Sequence, residues 1–210
     1  GHGAKGGAYA RLAAHRMAEH GGKHSRPLAV YTPHGGSLHY APDTLKGRIY
    51  MALERRLCGW TDAVIFESRY SFGKFRDQVG ALPGLTRIVP NGVLPSEFDT
   101  VAKVEEPSDY LFIGELRHLK GVDLLLEAFA AVRSRHPATL TIVGAGPDAG
   151  TFKQLAVTLG ISDKVNFAGA MPARQAFARG RILVMPSRAE SFPYIVLEAA
   201  AAAVPLIATS

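Results

Sequence analysis

The sequence predicts an α/β protein whose sheets are mostly parallel. Short apolar runs alternate with amphipathic segments along the chain, and most of these runs end in a loop of glycine, proline and polar residues. The alternation starts again after a charged segment at 101–108. Strands that alternate with helices favour parallel pairing through right-handed crossovers. We therefore expect two α/β domains, residues 1–104 and residues 105–210.

The composition is that of a globular protein. Of its 210 residues, 47% are hydrophobic and 20% are charged, which excludes a wholly disordered chain. The single cysteine, Cys58, has no internal disulfide partner and is consistent with a reducing compartment. The longest apolar stretch, 194–208, contains Glu198 and Pro205 and is too short to span a bilayer. We therefore expect a cytoplasmic protein.

The excess of positive charge lies in the first half. Residues 1–104 carry 14 Lys and Arg against 8 Asp and Glu, whereas residues 105–210 carry 10 of each. A basic half indicates an anionic partner, phospholipid or nucleic acid, or simply a solvated basic face. It lacks interleaved aromatic residues and a known nucleic-acid-binding motif, so no nucleic acid partner is expected.

The first half is predicted to contain strands at 28–32, 63–67 and 86–89, and helices at 9–19 and 44–59. The second helix carries both apolar and basic residues. Such a helix either contributes to the core or rests on an anionic membrane, and the sequence leaves both alternatives open. Its apolar residues at helical spacing are Leu45, Ile49, Ala52, Leu53 and Leu57. Its basic residues are Lys46, Arg48, Arg55 and Arg56.

The second half begins after the predicted linker at 101–108. The predicted strands are 110–113, 139–143, 165–167, 182–185 and 206–208. Helices are predicted at 122–133, 151–159 and 173–180 and after Pro193. Ligands of open parallel sheets bind at the carboxyl ends of the strands. The polar loops at those ends are 34–36, 114–121, 144–147, 169–170 and 187–192.

The most informative loop is 186–200, PSRAESFPYIVLEAA. Pro193 suits the first turn of a helix, and the N-terminus of a helix is a natural phosphate site. Glu190 precedes this helix and Glu198 lies within it, and a carboxylate can accept two hydrogen bonds from a sugar diol. The alternative is that both glutamates are solvated, although a charge in so apolar a stretch needs a partner.

These motifs resemble those of family 4 glycosyltransferases. Residues 190–198, ESFPYIVLE, resemble the E-x7-E signature of the family, and 112–121, FIGELRHLKG, resemble its G-R-L-x-x-x-K-G loop. Each motif is modest alone, but their order along nearly the whole chain is specific. Further similar segments are TPHGG at 32–36, VPNGV at 89–93, IVGAGP at 142–147 and VNFAG at 165–169.

The resemblance implies two Rossmann-like domains of the GT-B type. Because the family is longer than this chain, both domains are expected to be incomplete here. Residues 1–104 would form the C-terminal part of the acceptor-side domain. Residues 105–210 would form the N-terminal part of the sugar-nucleotide-binding domain.

The resemblance also implies the roles of individual residues. Glu198 would bind the ribose of the donor, Lys120 would neutralise its diphosphate, and the backbone of Ser191 and Phe192 would touch its sugar and diphosphate. Glu190, facing the donor sugar, and His34, across from it, are the expected catalytic residues. The expected donor site is completed by Gly146, Gly169 and Ala170, the last two at the base.

One position departs from the family pattern. Glu115 stands where the family has the arginine of its diphosphate loop. Arg117, two residues on, is the expected substitute because a guanidinium can pair bidentately with phosphate.

The implied activity is metal-independent, retaining transfer of a hexose-type sugar in cell-surface polysaccharide synthesis. The donor would be a UDP- or GDP-linked sugar, and the acceptor a glycan or a lipid-linked molecule. No cofactor and no metal are expected, since cationic side chains and a helix N-terminus can stabilise the leaving diphosphate. Contact with the anionic inner face of the membrane would accompany a lipid-linked acceptor. The alternatives are a sugar-nucleotide epimerase and a non-catalytic nucleotide-sugar-binding module.

Overall fold

The computed structural model describes residues 1–21, 27–34, 38, 40–80, 82 and 84–209. The chain divides into two compact units. Gly1–Asn91 and Glu190–Phe192 form the first unit, and Gly92–Ala189 and Pro193–Ser210 form the second. Among the helices in these ranges, none is both long enough and apolar enough to cross a membrane. The predicted division at 104/105 remains a prediction.

The first unit is built on a parallel sheet. Its strands are β1 (Val30–Tyr31), β2 (Ala63–Phe66) and β3 (Leu85–Ile88), in that order. A parallel bridge between His2 and Thr32 continues the sheet beyond β1. The three predicted strands are therefore confirmed within one or two residues at each end.

Three helices accompany this sheet: α1 (Gly3–Gly21), α2 (Leu45–Cys58) and α3 (Arg69–Val79). The sequence predicts the first two, although α1 begins six residues earlier than expected. It does not predict α3, whose apolar residues are few. This helix begins where the hydroxyl of Ser68 accepts a hydrogen bond from the backbone N–H of Ser71 at 3.1 Å.

The apolar stripe of α2 faces away from the core. Leu45, Ile49 and Leu53 are 77%, 52% and 51% exposed, whereas Gly47 and Met51 are buried on the opposite side. The stripe itself does not pack into the core, but the helix contributes to the core through Met51, with Tyr50 and Cys58 packed against the same cluster. Helical spacing identifies an apolar face but does not say what covers it.

A buried ion pair ties α1 to α2 and β1. Arg11 is 0% exposed and donates from Nη2 to Glu54 Oε2 at 2.9 Å and from Nε to the carbonyl of Gly7 at 3.0 Å. The hydroxyl of Tyr31 donates to Glu54 Oε1 at 2.9 Å, and the Arg11 guanidinium lies 3.8 Å from the centre of the Tyr31 ring. Gly7 is required beside them, since a Cβ there would overlap this ring.

The second unit is a five-stranded parallel sheet in the order β6-β5-β4-β7-β8. The strands are β4 (Ser108–Ile113), β5 (Leu140–Val143), β6 (Val165–Gly169), β7 (Gly180–Met185) and β8 (Leu206–Ala208). The helices are α4 (Val122–Arg133), α5 (Ala149–Thr158), α6 (Ala173–Phe177) and α7 (Tyr194–Ala201). The chain runs outward from β4 to β6 and then returns to β7, so the topological switch point lies between β4 and β7. This order confirms the predicted α/β class.

The sheet of the second unit is covered on both faces. Neighbouring residues of β4 point to opposite faces, so Phe112 packs in one core with Val122 and Phe129 of α4. Leu111 packs in the other core with Phe177 of α6 and Ala199 of α7. All four residues of β5 are buried, as expected for an inner parallel strand.

The predicted linker packs on the second unit. Lys103 donates through Nζ to the carbonyls of Phe177 at 2.8 Å and Gly180 at 2.7 Å, where α6 ends and β7 begins. Burial lowers the pKa of this ammonium group. Val101 packs against the core that contains Leu111 and Phe177. Strand β4 begins at Ser108, the last residue of the predicted linker.

The Arg11–Glu54 pair yields a stability prediction. Arg11→Met should destabilise the first unit by about 3–5 kcal/mol, because it leaves the Glu54 carboxylate buried without its cation. The double variant Arg11→Met/Glu54→Leu should recover most of this loss, since it removes both charges. Urea unfolding followed by the fluorescence of Trp60 would measure both changes. A double variant no more stable than Arg11→Met would contradict this account.

Candidate functional site

The loops after β4 and β7 meet at the switch point of the second unit. Gly121 ends the loop after β4 with φ of 69°, and a Cβ at this position would collide with the carbonyl oxygen of Pro186. Only glycine allows both the left-handed backbone and this close approach. The contact between the loop after β4 and Pro186 therefore requires glycine at position 121.

Arg188 joins these two loops. Its guanidinium makes a bidentate pair with the Asp123 carboxylate, with both N–O distances at 2.7 Å. Nη1 also donates to the carbonyl of His118 at 2.6 Å, and the backbone N–H of Arg188 donates to the carbonyl of Leu119 at 2.9 Å. The hydrogen bonds from Arg188 keep the pKa of Asp123 below its ordinary value. Neither residue is among those that the sequence predicts for the site, although Arg188 lies within the segment PSRAES at 186–191.

The expected diphosphate cations lie in the loop after β4. Lys120 ends a short 3-10 turn, His118–Lys120, directly before Gly121. Arg117 immediately precedes this turn, and its Nη1 lies 3.4 Å from Glu115 Oε2. Both of these side chains are about half exposed. The glutamate that replaces the family's arginine thus neutralises part of the charge of the expected substitute.

A cavity of about 280 Å³ lies at the carboxyl ends of β4, β5 and β6. It is lined by the loops after these strands, and Ala170 is one of its lining residues. Gly169, just before Ala170, accepts a hydrogen bond through its carbonyl from the N–H of Gly144 at 2.9 Å. Gly146 lies against the backbone of Leu116, where a Cβ would not fit. The glycine loops therefore shape this cavity through their backbones.

Glu198 lies partly buried in α7. Burial raises the pKa of its carboxyl group, and the nearby negative charge of Glu97 raises it further. Glu97 lies in the turn Pro95–Phe98, which packs against α7 and is held by Arg174 through an ion pair of 3.7 Å. A carboxylate in this setting gains from hydrogen-bond donors supplied by a ligand.

The segment Glu190–Phe192 lies in the chain between β7 and α7 and belongs to the first compact unit. All three residues are partly buried. Within that unit, the side-chain amide of Asn91 donates to the carbonyl of Phe192 at 3.0 Å. Asn91 belongs to the VPNGV segment identified in the sequence.

His34 lies two residues beyond the bridge that continues the first sheet. Its φ of 48° places a non-glycine residue in the left-handed region, a strained conformation typical of functional loops. Its ring packs on that of His2, with the ring centres 4.0 Å apart. Burial and the neighbouring His2 lower the pKa of His34, whereas Glu67 opposes this shift. Gly35 and Gly36 of the same motif lie outside the described residues.

Chemically, the second unit offers backbone glycine loops and a cationic loop at the carboxyl edge of its sheet, and a partly buried carboxylate in α7. Such a set can bind a phosphate-bearing, hydroxyl-rich ligand. Across the described ranges of the chain, no group of three or more His, Cys, Asp or Glu side chains is arranged to hold a metal ion.

Comparison with protein families matches both halves of the chain. Residues 95–210 match the model "Glycosyl transferases group 1", and residues 1–97 match the model "Glycosyltransferase Family 4". Together the two matches cover the whole chain. The sheets and loops of both units therefore fall within matched regions.

Curated relatives are enzymes of this class. A GDP-mannose-dependent alpha-(1-6)-phosphatidylinositol monomannoside mannosyltransferase of Mycobacterium tuberculosis is 33% identical over 177 residues, which is 73% of this chain and 45% of that protein. A D-inositol 3-phosphate glycosyltransferase of Acidothermus cellulolyticus is 31% identical over 182 residues, 73% of this chain and 41% of that protein. The chain thus spans less than half the length of either relative.

Solved structures share the fold. Anabaena Alr3699/HepE, in complex with UDP and glucose, superimposes with a TM-score of 0.73 at 20% sequence identity. The match covers 96% of this chain and 57% of that one. Together with the two parallel sheets, these neighbours establish the predicted Rossmann-like, GT-B type of architecture.

Proposed function

The chain belongs to the group 1 glycosyltransferases, and we propose that the whole protein is a retaining enzyme that transfers a sugar from a nucleoside diphosphate sugar to an acceptor. The donor is UDP- or GDP-linked. The acceptor is a glycan or a lipid-linked molecule used in cell-surface polysaccharide synthesis. The phosphatidylinositol monomannoside named for one relative supports an acceptor of the lipid-linked kind.

One observation carries this proposal. The loop with the LKG segment is locked to the PSRAES loop by Arg188, directly at the switch point of the second sheet. In open parallel sheets this is the place where nucleotides bind. The family match over 95–210 includes both loops.

The proposed donor site uses residues of the second unit. Lys120, assisted by Arg117, neutralises the diphosphate, and Glu198 accepts hydrogen bonds from the ribose hydroxyls. Gly146, Gly169 and Ala170 belong to the glycine-rich loops that receive the nucleotide, the last two at its base. This set depends on backbone shape and on charge, so it binds the diphosphate without a metal ion.

Catalysis in this proposal is positioning and charge stabilisation. The bond between the sugar anomeric carbon and the diphosphate oxygen breaks, and a bond to an acceptor oxygen forms on the same face. The leaving diphosphate takes the acceptor proton. Glu190 and His34 are the proposed catalytic residues beside the sugar, and the backbone of Ser191 and Phe192 holds the sugar and diphosphate.

The first unit offers a surface for the membrane side of this proposal. The exposed stripe of α2 borders a groove of about 360 Å³ between α1 and α2, lined by Tyr9, Leu12, Leu53 and Trp60. Exposed apolar residues in such number mark an interaction surface rather than ordinary solvent exposure. We therefore propose that this face rests on a lipid bilayer.

The basic residues of α2 indicate that this bilayer surface is anionic. Lys46 and Arg48 are exposed on α2, and Arg56 lines the groove and lies 5.4 Å from the Trp60 ring. Arg55 is not counted among these cations, because its guanidinium donates to the carbonyls of Val79 and Gln78 at the end of α3. An apolar stripe flanked by cations is typical of helices that lie at an anionic membrane surface.

The function is tested with the full-length protein and a panel of donors. UDP-glucose, UDP-galactose, GDP-mannose and ADP-glucose are compared by thermal shift, and transfer to phosphatidylinositol or inositol phosphate is followed by mass spectrometry. We expect one donor to bind and its sugar to be transferred equally well in EDTA. Interconversion of the donor without acceptor would indicate an epimerase. Loss of activity in EDTA that Mn²⁺ restores would contradict the metal-free site.

The two glutamates should separate kinetically. Glu198→Gln should weaken donor binding by roughly 1–3 kcal/mol, the usual value of a hydrogen bond to a charged group, because it removes the proposed ribose acceptor. Glu190→Gln should leave donor binding unchanged and lower kcat. Calorimetry with the donor and steady-state kinetics would measure both effects. Equal losses of donor affinity with unchanged turnover would exclude this division of roles.

Glu198→Gln should also change the pH dependence of stability. Because the pKa of Glu198 is raised on folding, the folded protein binds its proton at a pH where the unfolded chain has lost it. The wild-type protein therefore gains stability as the pH falls through the raised pKa towards the ordinary value, and the variant lacks this gain. Thermal unfolding of both proteins at a series of pH values would show the difference.

The membrane surface is tested by a charge-matched pair of variants. Replacing Lys46, Arg48 and Arg56 with glutamine should reduce co-sedimentation with phosphatidylglycerol vesicles, since each cation at such a surface contributes on the order of 1 kcal/mol. The control replaces Arg135, Lys153 and Arg179, three exposed cations of the second unit. Equal binding by both triple variants would exclude the α2 surface.

A further inference from the structure

Glu67 is a buried carboxylate at the carboxyl end of β2. It is only 1% exposed, and within the described part of the chain neither Oε1 nor Oε2 has a hydrogen-bond partner. Ser68, which follows it, begins α3. The donor-site residues discussed above do not include Glu67, and its role in the first unit is open.

An unpartnered carboxyl group in this position is costly in either protonation state. Burying a polar group without hydrogen bonds typically destabilises a protein by about 1–3 kcal/mol. The positive end of the α3 dipole offsets part of this if the group is ionised. By contrast, Asp62 at the other end of the same strand is paired, because its Oδ2 accepts from the N–H of Ala29 at 2.7 Å. A buried group that is kept without such a partner is a candidate for a functional role.

His34 and Glu67 follow the carboxyl ends of two neighbouring parallel strands. Val30 pairs with Ala63 and Tyr31 with Val64, His34 comes three residues after Tyr31 and Glu67 three after Val64, and the charge of Glu67 acts on His34. His2 completes the row, because it bridges Thr32 and packs on the His34 ring at 4.0 Å. His2 and Glu67 are the titratable side chains that act on His34 in the described part of the chain, and they act in opposite directions.

We propose that Glu67 is the positioning residue of His34: its carboxylate accepts a hydrogen bond from one imidazole nitrogen and so decides which nitrogen faces the substrate. In this structure the two side chains interact electrostatically without a hydrogen bond, so the proposal requires the His34 ring to turn towards Glu67. A carboxylate behind a histidine fixes its tautomer and raises its basicity.

This arrangement specifies what His34 recognises. With one nitrogen donating to Glu67, the neutral ring presents the other nitrogen as an acceptor, which suits a hydroxyl group of the sugar donor or of the acceptor. The link to a sugar hydroxyl rests on the proposed function, whereas the pairing of Glu67 with His34 does not.

The test measures the tautomer and the pKa of the His34 ring directly. Long-range ¹H–¹⁵N NMR of the histidine-labelled full-length protein gives the tautomer and the pKa of each ring, and His34→Gln assigns the signal. Glu67→Gln should lower the pKa of His34, because a neutral amide cannot stabilise the imidazolium as a carboxylate does. Glu67→Asp keeps the charge but moves it back by one methylene, and it should give an intermediate result.

Asp62→Asn is the matched control on the same strand. It should lower the melting temperature, since the paired carboxylate is lost, and leave the His34 signals unchanged. Glu67→Gln should not lower the melting temperature, because the carboxylate has no partner to lose. Identical His34 titration in Glu67→Gln and in wild type would overturn the proposal.

Kinetics separate this inference from the proposed function. If transfer is found, Glu67→Gln should lower kcat at least about tenfold with unchanged donor affinity, and the acid limb of its pH profile should move with the His34 pKa. Absence of transfer by the wild-type protein refutes the proposed function, and the NMR result then still decides the role of Glu67.

Discussion

The bidentate contact between Arg188 and Asp123 holds together the loops that follow β4 and β7 at the carboxyl edge of the second sheet. Parallel strands leave their carboxyl ends open, and the loops that follow them need partners other than the strand ladders. Arg188 supplies these partners to the loop after β4 through its side chain and its backbone. Gly121 permits the approach, and the cavity shaped by the glycine loops lies at the same edge of the sheet.

The buried polar groups of the first unit are of two kinds. Arg11, Glu54 and Tyr31 form a connected network that ties two helices to the sheet. Glu67, on the neighbouring strand, has no such network. The first group explains how the helices are held in place, and the second marks the strand end where His34 lies.

Much of the fold could be predicted because the signals are local. The period of apolar residues gives every strand and most of the helices, since a strand or helix has to bury one side wherever it lies in the fold. The helix α3 escaped prediction because Ser68 and the packing of Phe72 and Phe75 define it more than its hydropathy does. The stripe of α2 was recognised, but the choice between core and surface depends on neighbours distant in sequence.

The sequence by itself determined the α/β class and the family resemblance, and it singled out Lys120 and the two glutamates as candidates, because each depends on spacing within a short segment. Only the tertiary structure decided that Arg188 pairs with Asp123, that Arg11 pairs with Glu54, and that Glu67 is buried without a hydrogen-bond partner among the described residues. These are contacts between residues that the sheet and its loops bring together. Their energies depend on distance and on exclusion of water, and the order of residues along a chain encodes neither directly.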